Sequence, residues 1–140
     1  MKQFIFYNIK SSFNTLLRKD LLYVFYDLIT RNTNNDFDKL QKDNLLDFID
    51  KESITKKIIE EFSDSNQFSF DNDGNYILNN EILNEIEVLS IKENYLVLEA
   101  NDNNSKFFNF ISLYYPDFVV IDLDNNQISS LRLVNPLKIS

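Results

Sequence analysis

The chain has 140 residues, a formal net charge of -8, no cysteine, no histidine and a single glycine. The missing cysteine and histidine exclude disulfide frames, thiolate metal sites and the commonest general base and zinc ligand, and one glycine cannot build the glycine-rich loop that cradles ATP or NAD phosphates. No catalytic residue, metal ligand or cofactor is therefore expected, while an apolar fraction of 44% with 13 Phe supports one hydrophobic core and a single domain over 1–140.

Residues 3–9 open with Phe4-Ile5-Phe6-Tyr7, aromatic and β-branched, and are read as a strand, with the first turns of a helix as the alternative. No small-residue cleavage site follows this short apolar run, so a signal peptide is not expected. The next apolar run, Leu21 to Tyr26, falls well short of the about eighteen residues of a membrane span. Both features point to a soluble, cytoplasmic protein that stays out of the membrane.

Ser11 or Ser12 is placed to cap a helix in which Phe13, Leu16, Leu17, Leu21, Val24, Phe25, Leu28 and Ile29 recur at helical spacing. Asp36 opens a second helical stretch through Phe37, Leu40, Leu45, Phe48 and Ile49, its phase uneven at the doublet Leu45-Leu46, with a break near Asp43 as the alternative. Ser53 begins a third, with Ile54, Ile58, Ile59 and Phe62 on one side and Lys56, Lys57, Glu60 and Glu61 on the other. Apolar stripes of this kind face a core.

Beyond Ser63 the apolar period shortens. Phe68 and Phe70 alternate with polar residues, Asp71-Asn72-Asp73-Gly74-Asn75 turns the chain, and Tyr76-Ile77-Leu78 returns, which is a hairpin pattern. Asn80 to Glu85 fits a short helix or a strand. Ile86, Val88, Leu89 and Ile91 alternate with one slip, which predicts a bulged strand, and Tyr95 to Leu98 predicts the next. Ser105 is the expected cap of a short helix holding Phe107, Phe108, Ile111 and Leu113, stopped by Pro116, which bars helical backbone at Tyr115. A last hairpin joins Phe118–Ile121 to Gln127–Val134 through the turn Asp122–Asn126, and the β-branched run at 119–121 suits a strand buried on both faces. The sum is an α+β fold: N-terminal helices packed on a C-terminal, mainly antiparallel β-sheet with one inserted short helix.

Charge is distributed unevenly. Up to Ser63 there are ten basic and ten acidic residues; beyond it there are four and twelve, so all of the -8 lies in the second half. Such a field attracts cationic partners and repels phosphate, so a nucleic-acid ligand is not expected. Ser69, Asp71, Asp73 and Gly74 follow the spacing of an EF-hand loop, but Asn80 stands where the bidentate glutamate belongs, and a plain hairpin turn is the reading. Asp122-Leu123-Asp124 is an isolated Asp-x-Asp pair, too little for a metal centre. What remains is an interaction surface of acids and tyrosines in or beside turns: Asp71, Asp73, Glu99, Asp102, Tyr114, Tyr115, Asp122 and Asp124. In such a surface the rings fill pockets and the carboxylates pair with lysine or arginine of a basic protein.

Small, acidic, single-domain and without histidine or cysteine, and with these acidic turns, the chain resembles the immunity proteins of contact-dependent growth-inhibition and polymorphic toxin systems. The resemblance implies a non-enzymatic inhibitor, monomeric when free, that binds a basic toxin domain such as a nuclease and blocks its active site or substrate groove with negative charge. A structural or assembly module of a phage or secretion system, pairing its edge strands with another copy, is the alternative; a metal-dependent hydrolase is the third.

Overall fold

In the computed structural model, which describes residues 1–10, 26–27 and 46–131, two-residue alternation builds one large antiparallel sheet. The elements are β1 (Lys2–Asn8), α1 (Lys51–Phe62), β2 (Phe68–Phe70), β3 (Asn75–Asn80), β4 (Glu85–Ile91), β5 (Tyr95–Ala100), α2 (Lys106–Tyr114), β6 (Phe118–Asp122) and β7 (Gln127–Ser130). The seven strands lie in the order β2-β3-β4-β5-β1-β6-β7, and every neighbouring pair is antiparallel. The class is α+β.

The expected arrangement of N-terminal helices laid on a C-terminal sheet is not what the described residues show. The chain opens with a strand, and that strand lies inside the sheet between β5 and β6; the longer described helix, α1, is mid-chain. The first helical stretch read from the sequence lies outside the described residues except for Tyr26 and Asp27, which are helical. The second was expected to run through Phe48 and Ile49, and there the structure differs. Residues 46–50 are not helical: Leu46 bridges Ile9, and the Asp47 amide donates to the Asn8 carbonyl at 2.8 Å. Pairing with the end of β1 takes backbone groups that a helix would have used internally.

Other boundaries moved for local reasons. Helix α1 starts ahead of Ser53 because Asp50 is the cap, its carboxylate accepting from the Ser53 amide at 3.1 Å where an anion also suits the helix N-terminus. Ile54, Ile58 and Phe62 form its buried stripe, while Ile59 lies off it and is 44% exposed. Ser105 caps α2 as expected, accepting from the Phe108 amide at 3.0 Å. Strand β4 carries no bulge, since its register against β3 runs unbroken from Glu85 to Ser90. The slip in its pattern arises because Leu89 and Ile91 enter the main core whereas Ile86 and Val88 point to the opposite face. Asn80 ends β3 and Glu85 begins β4, the two pairing with each other, and only 81–84 between them is a turn, not a helix. The last strand ends at Ser130; the rest of its expected span beyond Leu131 lies outside the described residues.

One face of the sheet, with Phe4, Phe6, Leu78, Leu89, Leu96, Leu98 and Val120, shares its core with Ile54, Ile58 and Phe62 of α1 and Phe107, Phe108, Phe110 and Ile111 of α2. The Phe108 ring meets Phe4 and Phe6 edge-on, with centroids at 5.2 and 5.4 Å, the favoured geometry for aromatic quadrupoles. On the other face Ile9, Val119, Ile121 and Ile128 form a second cluster, with Tyr7, Tyr26, Leu46 and Leu123 against it. Strand β6 is therefore buried on both sides, as its β-branched run implies. Toward β3 and β4 this second face opens, and Ile86 is 39% exposed.

Candidate partner-binding surface

Strand register sorts the acidic residues into groups. Lys2 pairs with Ala100, Asn80 with Glu85 and Asp122 with Gln127, so the turns 81–84 and 123–126 and the loop 101–105 share one end of the sheet. Tyr7 pairs with Tyr95 and Phe70 with Tyr76, which puts the turns 71–74 and 92–94 at the opposite end. Of the residues singled out from the sequence, Asp102, Asp122 and Asp124 come together at the first end, and Asp71 and Asp73 stand at the other. Glu99 is on neither; it projects, exposed, from the open face of β5 between Val88 and Gln3 of the flanking strands.

Several of these carboxylates are engaged in folding the chain. Oδ1 of Asp71 accepts from the Asp73 and Asn75 amides at 3.0 and 2.9 Å, and its Oδ2 accepts from Asn75 Nδ2 at 2.9 Å. The hydrogen bonds from Asn75, and after them that from Asp73, hold the Asp71 carboxyl below its ordinary pKa. Gly74, at φ +83°, completes this turn. At the other end Asp122 accepts from the Asp124 and Asn125 amides at 3.1 and 3.2 Å and from Asn125 Nδ2 at 2.8 Å, with Lys2 Nζ at 3.9 Å. Asp124 accepts from the Gln3 amide at 2.8 Å, and Asn126 takes the left-handed conformation at φ 51° that such a turn needs. Asp122 and Asp124 thus lock the hairpin and tie it to β1. Asp73 and Asp124 are exposed, while Asp71 and Asp122 are half-buried.

The two tyrosines have different surroundings. Tyr115 is turned inward, its ring stacked on Phe118 at 5.2 Å and its hydroxyl buried without a hydrogen-bond partner among the described residues. Burial, and after it the charge of Asp50, raises its pKa. The Tyr115 ring is partly buried against the core, whereas the last two residues of α2, Leu113 and Tyr114, are exposed. Tyr114 is exposed, donates to Glu61 Oε2 at 3.2 Å and lies under Lys57 Nζ at 4.8 Å from its centroid. The hydrogen bond to Glu61 raises its pKa.

Two features at the acidic end were not singled out from the sequence. The first is Glu87, whose two carboxylate oxygens accept from the Lys106 and Phe107 amides, both at 3.0 Å, so that a strand side chain completes the N-terminal cap of α2 beside Ser105. Its only sequence signal was its place in the interrupted alternation of β4. The second is the β3–β4 turn, where Ile82 and Leu83 are 94% and 62% exposed between Glu81 and Glu85, themselves exposed. Next to it lies a cleft of about 260 Å³ lined by Leu83, Glu85, Ile86, Glu87, Asp102 and Lys106, among others. Among the described residues no group of three or more acids converges to hold a metal ion, and no helix is long and apolar enough to cross a membrane.

No protein-family model matches the chain, and no curated protein matches it either.

Proposed function

We propose that this protein is an immunity-type inhibitor, acting in the cytoplasm as a monomer that binds and neutralises a basic toxin domain through its acidic surface. The observation that carries the reading is the sheet end where Glu81, Glu85, Asp102 and Asp124 all stand exposed on three adjoining connections. Among the described residues the cations at that end are Lys2, the N-terminal ammonium and Lys106, against Glu81, Glu85, Glu87, Asp102, Asp122 and Asp124, so acids outnumber them there. A surface of this kind accelerates encounter with a cationic partner and repels competing phosphate. The braced turns add stiffness, which lowers the ordering cost of binding.

The test is rescue. The C-terminal domain encoded by the gene next to this one is expressed alone and with this chain. Restored growth and an equimolar complex that weakens with added salt are expected. An unrelieved arrest or a salt-insensitive complex would count against the inhibitor.

A second reading, a module that assembles through its sheet edge, is favoured by β2. This outermost strand has only three residues, and Phe70 on it is 68% exposed. A homo-oligomer that persists on dilution and is lost in Phe70→Lys would select it.

A further inference from the structure

Ile82 and Leu83 are displayed on a turn built to hold them outward. The Asn80 side chain accepts from the Leu83 amide at 3.2 Å, the Asn84 amide donates to the Glu81 carbonyl at 3.3 Å, and Asn84 closes the turn in the left-handed region at φ 53°. Asparagine tolerates that conformation where most residues do not, so these polar residues specify the shape and leave the two apolar side chains in water.

Clefts flank this tip on both sides. One, of about 260 Å³, runs under Leu83 and Ile86 toward Asp102 and the N-terminus of α2. The other, of about 380 Å³, lies between Glu81 and Ile82 and the start of β2. The first is bordered by three carboxylates, Glu85, Glu87 and Asp102, against one ammonium, Lys106. Glu87 is committed to α2, and Lys106 Nζ donates to Gln67 Oε1 at 3.2 Å. Glu85 and Asp102 remain exposed beside the apolar tip, Asp102 with its Oδ1 accepting from the Asn104 amide at 2.8 Å. Negative charge beside hydrocarbon is complementary to a side chain with a hydrocarbon stem and a cationic head.

We propose that the β3–β4 tip and the cleft beneath it form a docking surface for a basic protein segment in which arginine or lysine adjoins an apolar side chain. The apolar neighbour covers Ile82 and Leu83, and the cation enters the cleft beneath Leu83 to reach Glu85 and Asp102. This deepens the inhibitor reading and rests on it, by naming the part of the acidic end that makes contact and the chemistry of what it contacts.

The test uses the whole protein and the blocked peptide acetyl-Leu-Arg-Leu-Arg-amide, followed by amide shifts in nitrogen–proton correlation spectra. Shifts confined to 80–87 and 101–106 are expected. At a fixed peptide concentration they should fall by at least about threefold in I82S/L83S and in E85K/D102K, and stay unchanged in E93K at the opposite end. Replacing arginine by glutamine in the peptide should leave the spectrum unmoved. Absence of shifts, equal shifts at 71–75 and 122–126, or full amplitude in I82S/L83S would overturn the proposal. The peptide has no toxic activity, so this result is separate from the rescue experiment: a bound peptide with no growth rescue would discard the inhibitor and keep the surface.

Discussion

Glu87→Ala should loosen the joint between the inserted helix and the sheet, because the Glu87 side chain reaches from β4 to satisfy the first amides of α2. The carboxylate accepts two backbone hydrogen bonds, both at 3.0 Å. Hydrogen bonds to a charged group contribute about 1.5–3 kcal/mol each when water is excluded, and the helix dipole adds about 0.3–1 kcal/mol. Glu87 is only half-buried, so water would replace part of what is lost and a net cost of about 2 kcal/mol is the reasoned value. For a chain of this size that is roughly an 8 °C fall in Tm. Glu87→Gln keeps one acceptor oxygen without the charge and should lose about half as much. Urea unfolding monitored by circular dichroism gives the free energy, and amide hydrogen exchange gives the location, since the Lys106 and Phe107 amides should lose protection first. If Glu87→Ala came within about 0.3 kcal/mol of the parent with those amides still protected, the bridge between β4 and α2 would contribute nothing measurable to stability.

Phe108→Ala removes a ring that is 3% exposed and wedged edge-on against Phe4 and Phe6; a loss of about 3–5 kcal/mol in chemical unfolding is expected, and one under about 1 kcal/mol would mean the site collapses freely. Acid should destabilise the fold through Asp71. Its folded pKa lies below the ordinary 3.8, so its contribution is fully present above that value and lost as the pH falls through the lower, folded one. Asp71→Asn should therefore be less stable than the parent at neutral pH, and the gap between the two should narrow in melts taken below about pH 4.

Much of the local structure was legible in the sequence because it is made by near neighbours. Ser105 caps α2 three residues before the amide it accepts from, Gly74 and Asn126 occupy the left-handed positions of their turns, and the run at 119–121 is buried on both sides. These depend on contacts a few residues apart, where residue type and spacing are enough. The stretch Asn80 to Glu85 fitted a short helix or a strand, and only the Asn80 and Asn84 geometry shows a turn that leaves Ile82 and Leu83 in solvent.

By itself, the sequence determined that the chain folds as α+β, where most strands after Ser63 run, and that its negative charge belongs to that β-rich half. Only the tertiary structure decided that β1 lies between β5 and β6, that Glu87 reaches across to α2, and that Asp71 and Asp102 stand at opposite ends of the sheet. Each of these is a pairing between residues far apart in the chain. Side-chain alternation says which face a residue occupies but not which strand will lie beside it, so the partner is chosen by how the whole set of apolar faces can be buried together.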